Sequence, residues 1–206
     1  MSIVGLSAKR TTGNKETAEI LRFSAYLTEK FLTDNVISLD EVKIVKYGLE
    51  SIGSNLLGFL VTLVIGGILG FFSEGFILWI LVFPLRKNAG GFHADTKGRC
   101  FLISIVVLML SFALLLYVKI PKIVCLLITT ILFLAIFVMA PVGNHNKVLD
   151  GLEQKVYKKR TRITLAIEGV LFVSSFILGW ETICILIMVG FAIVGISLIA
   201  GRIKLI

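Results

Sequence analysis

Within residues 86–100, RKNAGGFHADTKGRC, His93 precedes Cys100 with six residues between them, in a chain that has only two histidines and three cysteines. A cysteine attacks as its thiolate, and an imidazole within about 3 Å can take the thiol proton and later protonate a leaving amine. The pair therefore has the parts of a cysteine peptidase, with Cys100 as nucleophile and His93 as base. On one straight helix the two would share a face yet stand about 10 Å apart along it, too far for proton transfer. Gly90, Gly91 and Gly98 argue for a bent segment instead. Asp95 and Asn88 are both near enough in sequence to orient the imidazole, and neither spacing compels the choice. Arg86 and Arg99 are candidates for holding a substrate carboxylate or carbonyl. A metal site on His93, Asp95, Cys100 and His145 lacks any HExxH or CxxC spacing, so no metal or other cofactor is expected. A plain connecting loop remains the competing reading.

The elements that carry this stretch are apolar. The chain has 206 residues, 57% hydrophobic and 17% charged, with a mean hydropathy of +0.97. That is more apolar surface than one soluble core buries, and it points to a polytopic membrane protein. Five long apolar runs cover 52–72, 101–118, 123–142, 163–179 and 183–201, and a sixth, 76–85, is short. Ten helical residues rise only about 15 Å against a hydrocarbon core of about 30 Å. The short run must borrow flanking residues, tilt, or sit as a half-span among other helices. Residues 1–50 are too polar for a cleavable leader.

The basic residues orient the spans. With six crossings and a cytoplasmic N-terminus, 19 of the 21 Lys and Arg fall on cytoplasmic segments, and only Lys119 and Lys122 lie outside. The expected architecture is an all-α polytopic helix bundle of about six spans, the second one short, with both termini cytoplasmic. One membrane domain covers 1–206: an amphipathic cytoplasmic region over 1–50 and a bundle over 51–206 with the 86–100 loop on its cytoplasmic side. Cys100 is then a reduced thiol, and Cys125 and Cys184 are small hydrophobes inside spans.

Finer features follow. Ile20, Phe23, Leu27 and Phe31 make 15–33 an amphipathic helix, to lie on the bilayer or pack on the bundle. Ser38 and Glu41 have capping-box spacing, so a second helix starts near Leu39 and runs into the first span. Gly66 and Gly70 form a GxxxG pair, for internal packing or a homodimer face. Glu168 is an intramembrane acid, either paired with a loop cation or functional. The 143–162 loop, with Lys158, Lys159 and Arg160, sets topology and meets anionic lipid, or docks an acidic peptide. No nucleic-acid partner is expected.

The arrangement Arg86, Gly90-Gly91, His93 and Cys100 resembles the signature of the AgrB-like proteins, the accessory gene regulator B family. Ala140-Pro141-Val142 followed by GNHNKVL is similar to that family's Ala-Pro stretch and the Asn/Lys-containing loop after it. The resemblance runs from about Val42 to the C-terminus; the Arg-Gly-His-Cys pattern is specific and the apolar runs are not. It implies a plasma-membrane cysteine endopeptidase of Gram-positive quorum sensing. Its substrate would be an AgrD-like propeptide with an amphipathic leader, a signal segment and an acidic tail. The resemblance makes Cys100 the nucleophile that removes the tail and holds the signal part as a thioester, which a thiol or hydroxyl of the propeptide then closes into a ring. It makes His93 the base, with Arg86 and Gly91 in support. The runner-up is a peptide transporter without proteolysis, and a third reading is a membrane scaffold.

Overall fold

A computed structural model describes residues 15–92, 96–143 and 150–205. Seven helices account for nearly all of them: α1 (Lys15–Thr33), α2 (Val42–Ile68), α3 (Phe72–Ala89), α4 (Lys97–Tyr117), α5 (Lys122–Met139), α6 (Gly151–Leu178) and α7 (Glu181–Leu205). No β-strand forms among the described residues; one isolated parallel bridge joins Gly90 to Val142. The chain divides into two compact units, 1–58 with 94–103 and 59–93 with 104–206.

In the smaller unit, α1 has the expected bounds, and Leu27 and Phe31 of its apolar stripe are half-buried. Phe23 and Tyr26 are exposed, whereas Ser24 and Thr28 are buried, with the Thr28 hydroxyl donating to Ser24 O at 2.7 Å. The short polar side chains permit close packing, and the aromatic face stays outside, as a bilayer surface would accept it. The capping box forms at the expected residues. The Glu41 carboxylate accepts from Ser38 N and Ser38 Oγ, each at 2.9 Å. From there α2 runs unbroken for 27 residues, a rise of about 40 Å that joins interface to span in one helix.

The larger unit is built on α3, α5, α6 and α7. Leu78, Leu81, Leu85 and Ala89 recur at helical spacing on α3 and are all buried, because α3 packs on both α6 and α7. On α7, Leu186, Ile187, Met188, Val189, Phe191, Val194 and Leu198 are buried around the helix circumference. Such an all-round apolar helix belongs in the centre of a bundle. The short apolar run resolves by borrowing: α3 takes four residues beyond it at each end and reaches 18 residues, about 27 Å. Five other helices, α2, α4, α5, α6 and α7, are each long and apolar enough to cross a membrane. Their outward faces are apolar, as with Leu134 and Val138 on α5 or Ile163, Ile167 and Val170 on α6, where lipid rather than water is the compatible solvent.

The two ends of this unit are distinct. At one, Lys122 pairs with Glu181 at 3.4 Å. At the other, Gly90–Phe92 meet Val142 and Ser197. Segments expected on one membrane side thus do share an end. Of the Gly66–Gly70 pair, Gly66 packs internally and Gly70 ends the helix. Gly70 has φ +78 and stands past the end of α2, with Phe71 N donating to Gly66 O and Gly70 N to Gly67 O. That is a Schellman stop, and Gly66 itself packs against Phe71 and the Phe112 ring. Gly179 closes α6 in the same way, Trp180 N donating to Ser175 O.

Donation from Ser38 holds the Glu41 carboxyl below its ordinary value of 4.5. Because the folded value is the lower one, the stabilisation is complete above the ordinary value and is lost as pH falls through the folded one. Acidifying below pH 4.5 should therefore raise amide exchange in the first turn of α2 beyond the intrinsic pH effect. Glu41→Ala should exchange fast in that turn at every pH, without the step; a wild-type turn that shows no pH step would contradict this.

Candidate active site

The chain leaves α3 by a sharp, hydrogen-bonded turn. Gly90 and Gly91 adopt φ of +75 and +112, backbone that a side chain disfavours. Gly90 N donates to Arg86 O at 3.1 Å, ending the helix, and Gly91 N donates to Val142 O at 3.3 Å. Val142 N returns a bond to Ala89 O at 2.9 Å, and Phe92 N donates to Ser197 O at 2.8 Å. The Arg86 guanidinium reaches forward from the last turn of α3, one Nη donating to Gly90 O and the other to Phe92 O. Arg86 thus directs two of its N–H groups to the chain's own backbone. Space also enforces glycine at position 91, where a Cβ would lie 2.8 Å from Ser197 O.

The next helix restarts at Lys97, and Thr96 caps it. Thr96 Oγ1 accepts from Arg99 N at 3.3 Å, and Thr96 O accepts from Cys100 N at 3.1 Å. Cys100 thus lies in the first turn of α4, as expected, half-buried and outside any disulfide. The positive end of the helix favours an anion there. The amides of Arg99 and Cys100 are committed to Thr96, so those of Lys97 and Gly98 are the ones left without an intrahelical acceptor. Arg99 is exposed. Gly98 sits within the first turn of α4 rather than in the bend. His93, Asp95 and His145 lie outside the described residues. Arg86 and Gly91 belong to the larger unit, Arg99 and Cys100 to the smaller.

The basic stretch expected as a loop is helical from Gly151 onward, with Asp150 as N-cap accepting from Glu153 N at 2.6 Å. Helical spacing then sorts the cations. Lys155, Lys158, Lys159 and Arg162 line a shallow, open groove along one exposed face of α6 with Ile163 and Ala166. Arg160 is not among the groove residues: it sits two positions after Lys158, which turns it about 200° away. Arg162 also stacks over the Phe137 ring at 4.4 Å. These cations face away from Glu168, which is buried in the stripe Thr161, Leu165, Glu168, Phe172, Ser175. Among the described residues none pairs with it.

Thr96, Ser197 and Gly201 carry no role in the sequence-based expectations, and Val142 enters them only within the Ala140-Pro141-Val142 stretch. A threonine directly before a helix start is a recognisable N-cap signal. The other three become neighbours of the motif only through the packing of α5 and α7.

Comparison with known proteins gives concordant matches. The model of the family "Accessory gene regulator B" matches residues 21–198, so the likeness begins within α1 rather than near Val42. "Protein FsrB" of Enterococcus faecalis is 33% identical over 158 residues, 75% of this chain and 63% of that protein. The alignment thus covers less than two thirds of the relative's length. No solved structure matches the chain.

If the Arg86 fork holds the turn, replacing it by one ammonium should loosen it, since lysine cannot bridge two carbonyls in a fixed fork. Arg86→Lys should raise hydrogen exchange at the amides of Gly91 and Phe92 by on the order of tenfold, the loss of one charge-assisted bond. Mass-spectrometric exchange on the protein in nanodiscs measures this, and unchanged protection would remove the fork from the account.

Proposed function

Because this chain belongs to the accessory gene regulator B family, a family of multi-pass membrane proteins, we propose that it is a cysteine endopeptidase processing an AgrD-type propeptide of quorum sensing. The observation that carries this is the break between α3 and α4. Arg86 and two left-handed glycines turn the backbone directly before His93, and Thr96 restarts the helix four residues before Cys100. A continuous helix would hold imidazole and thiol about 10 Å apart; the break removes that constraint.

In this reading His93 takes the Cys100 proton, and the thiolate adds to the carbonyl carbon of the scissile peptide. The amides that open α4 are suited to the oxyanion. Collapse breaks the C–N bond, and His93 gives its proton to the departing amine of the tail. The signal portion remains as a thioester on Cys100. A thiol or hydroxyl within it then adds to the thioester carbonyl, its proton passing to His93. Cys100 leaves as the closing bond forms a thiolactone or lactone. Limited water at the membrane favours cyclisation over hydrolysis. By the distribution of Lys and Arg, 19 of 21 on one side, the loop faces the cytoplasm of the cell and both termini lie there, with lipid around the spans. A homodimer is compatible with this but has lost its Gly66–Gly70 argument.

The groove on α6 suits an acidic tail: four cations along two turns, flanked by apolar Ile163 and Ala166. Lys158 and Lys159 carry that role, Arg160 at most a share of the general field. Export without proteolysis is the alternative, and its support is the buried, unpaired Glu168.

Two experiments check this. Cys100→Ala and His93→Ala should each abolish tail removal while the protein still reaches the membrane; normal processing by either sinks the peptidase assignment. Lys158→Glu and Lys159→Glu should each raise KM for the propeptide on the order of fivefold, less at high salt, because exposed pairs are worth at most about 1 kcal/mol. Arg160→Glu should change it little; equal effects at all three positions would argue for a diffuse field instead of the groove.

A further inference from the structure

The turn after α3 is held from a third side by α7, through residues 105 and more positions away in sequence. Phe92 N donates to both Ser197 O, at 2.8 Å, and Ser197 Oγ, at 3.2 Å. One helical turn further along the same face is Gly201. A Cβ there would lie 2.7 Å from Gly91 C and 2.8 Å from Phe92 N, that is, inside the backbone of the turn. From the opposite side, a Cβ on Gly91 would meet Ser197 O at 2.8 Å and Ser197 Oγ at 2.9 Å. Two backbones are thus in contact, with no side chain between them. Lys204, on the next turn of α7, places its ammonium 5.3 Å from the centre of the Phe92 ring. Gly91 N, Phe92 N and Phe92 O each have a partner among the described residues. Those partners come from α3, the segment after α5, and α7.

We propose that Ser197 and Gly201 are positioning residues for the catalytic base: by fixing the backbone of Gly91 and Phe92 they set the direction from which His93 departs. The proposal rests on the peptidase reading and adds to it a contribution from α7. A carbonyl and a hydroxyl converging on one N–H restrain its direction as well as its distance, and the glycine lets the helix approach close enough to deliver them. The α7 contact acts on the residue adjacent to the base, so a displacement at Phe92 is carried directly to it through one peptide unit.

The test uses the full chain in proteoliposomes with a synthetic AgrD-type propeptide, reading kcat and KM, and separately the rate of Cys100 alkylation by iodoacetamide against pH. Gly201→Ala should lower kcat about 100-fold with KM unchanged, as a displacement near 1 Å does. Its Cys100 alkylation profile should shift toward that of His93→Ala, because a misdirected imidazole no longer promotes the thiolate. Ser197→Ala, which keeps the carbonyl bond, should lower kcat about fivefold, and Ser197→Thr should restore it. If Gly201→Ala fails to accumulate in the membrane, the Ser197 pair decides: rescue by threonine supports positioning, and a wild-type kcat in Ser197→Ala overturns it. A loss of kcat with an unchanged alkylation profile also overturns it, since packing alone would then explain the loss. Continued processing by Cys100→Ala overturns the peptidase reading and this proposal together; a dead Cys100→Ala beside fully active Ser197 and Gly201 variants overturns this proposal alone.

Discussion

The interaction on which the site depends is the fork of Arg86 to the carbonyl oxygens of Gly90 and Phe92. A helix that ends in apolar surroundings leaves carbonyls without donors, and a turn beyond it adds more. One guanidinium meets two of them with a rigid, always charged group. The positive φ values of the two glycines follow from that arrangement, since the chain must reverse within reach of a side chain four residues back. Val142 and Ser197 then take the remaining amides. The result is non-helical backbone with five of its polar groups, the N–H and C=O of Gly90 and Phe92 and the N–H of Gly91, held by partners, as such a segment beside membrane spans requires.

The same economy explains how a short apolar run serves as a central helix. α3 has too few apolar residues to meet lipid on all sides over a full bilayer, and it does not have to. Its buried stripe lies against α6 and α7, so its charged ends, Glu74 and Arg86 with Lys87, extend the helix while its middle is covered by protein. Pro84 is carried within it, tolerable where neighbouring helices supply the packing. Phe112 of α4 fills the opposite end, in contact with Gly66 and Gly75 and stacked on Phe71 at 5.8 Å.

Much of this was legible in the sequence, for identifiable reasons. Long apolar runs mark spans because lipid demands them, and the Ser38–Glu41 box and the Gly90–Gly91 bend are local signals that act on neighbouring residues. The failures are equally physical. The 143–162 stretch reads as a loop because its charge hides its helix; only the Asp150 cap and the spacing of its cations betray one. GxxxG is ambiguous in sequence, since a glycine four residues on may as readily stop a helix as pack it, and Gly70 stops it. Of the two places open to the α1 stripe, the exposed Phe23 fits the bilayer surface, where an apolar side chain needs no protein cover.

Buried hydroxyls show a further division. Thr28, Ser111, Thr129 and Thr161 each donate to the carbonyl four residues back in their own helix, so they are satisfied locally and need nothing from a partner helix. Ser175 Oγ has no such bond among the described residues. Local satisfaction is visible from sequence spacing; satisfaction between helices is not. The motif at 86–100 belongs to the second kind. The backbone after α3 is bonded by Val142 and Ser197, which no spacing rule links to it. The shape of this turn therefore depends on the segment after α5 and on α7, far along the chain, and substitutions there can alter it while residues 86–100 stay unchanged.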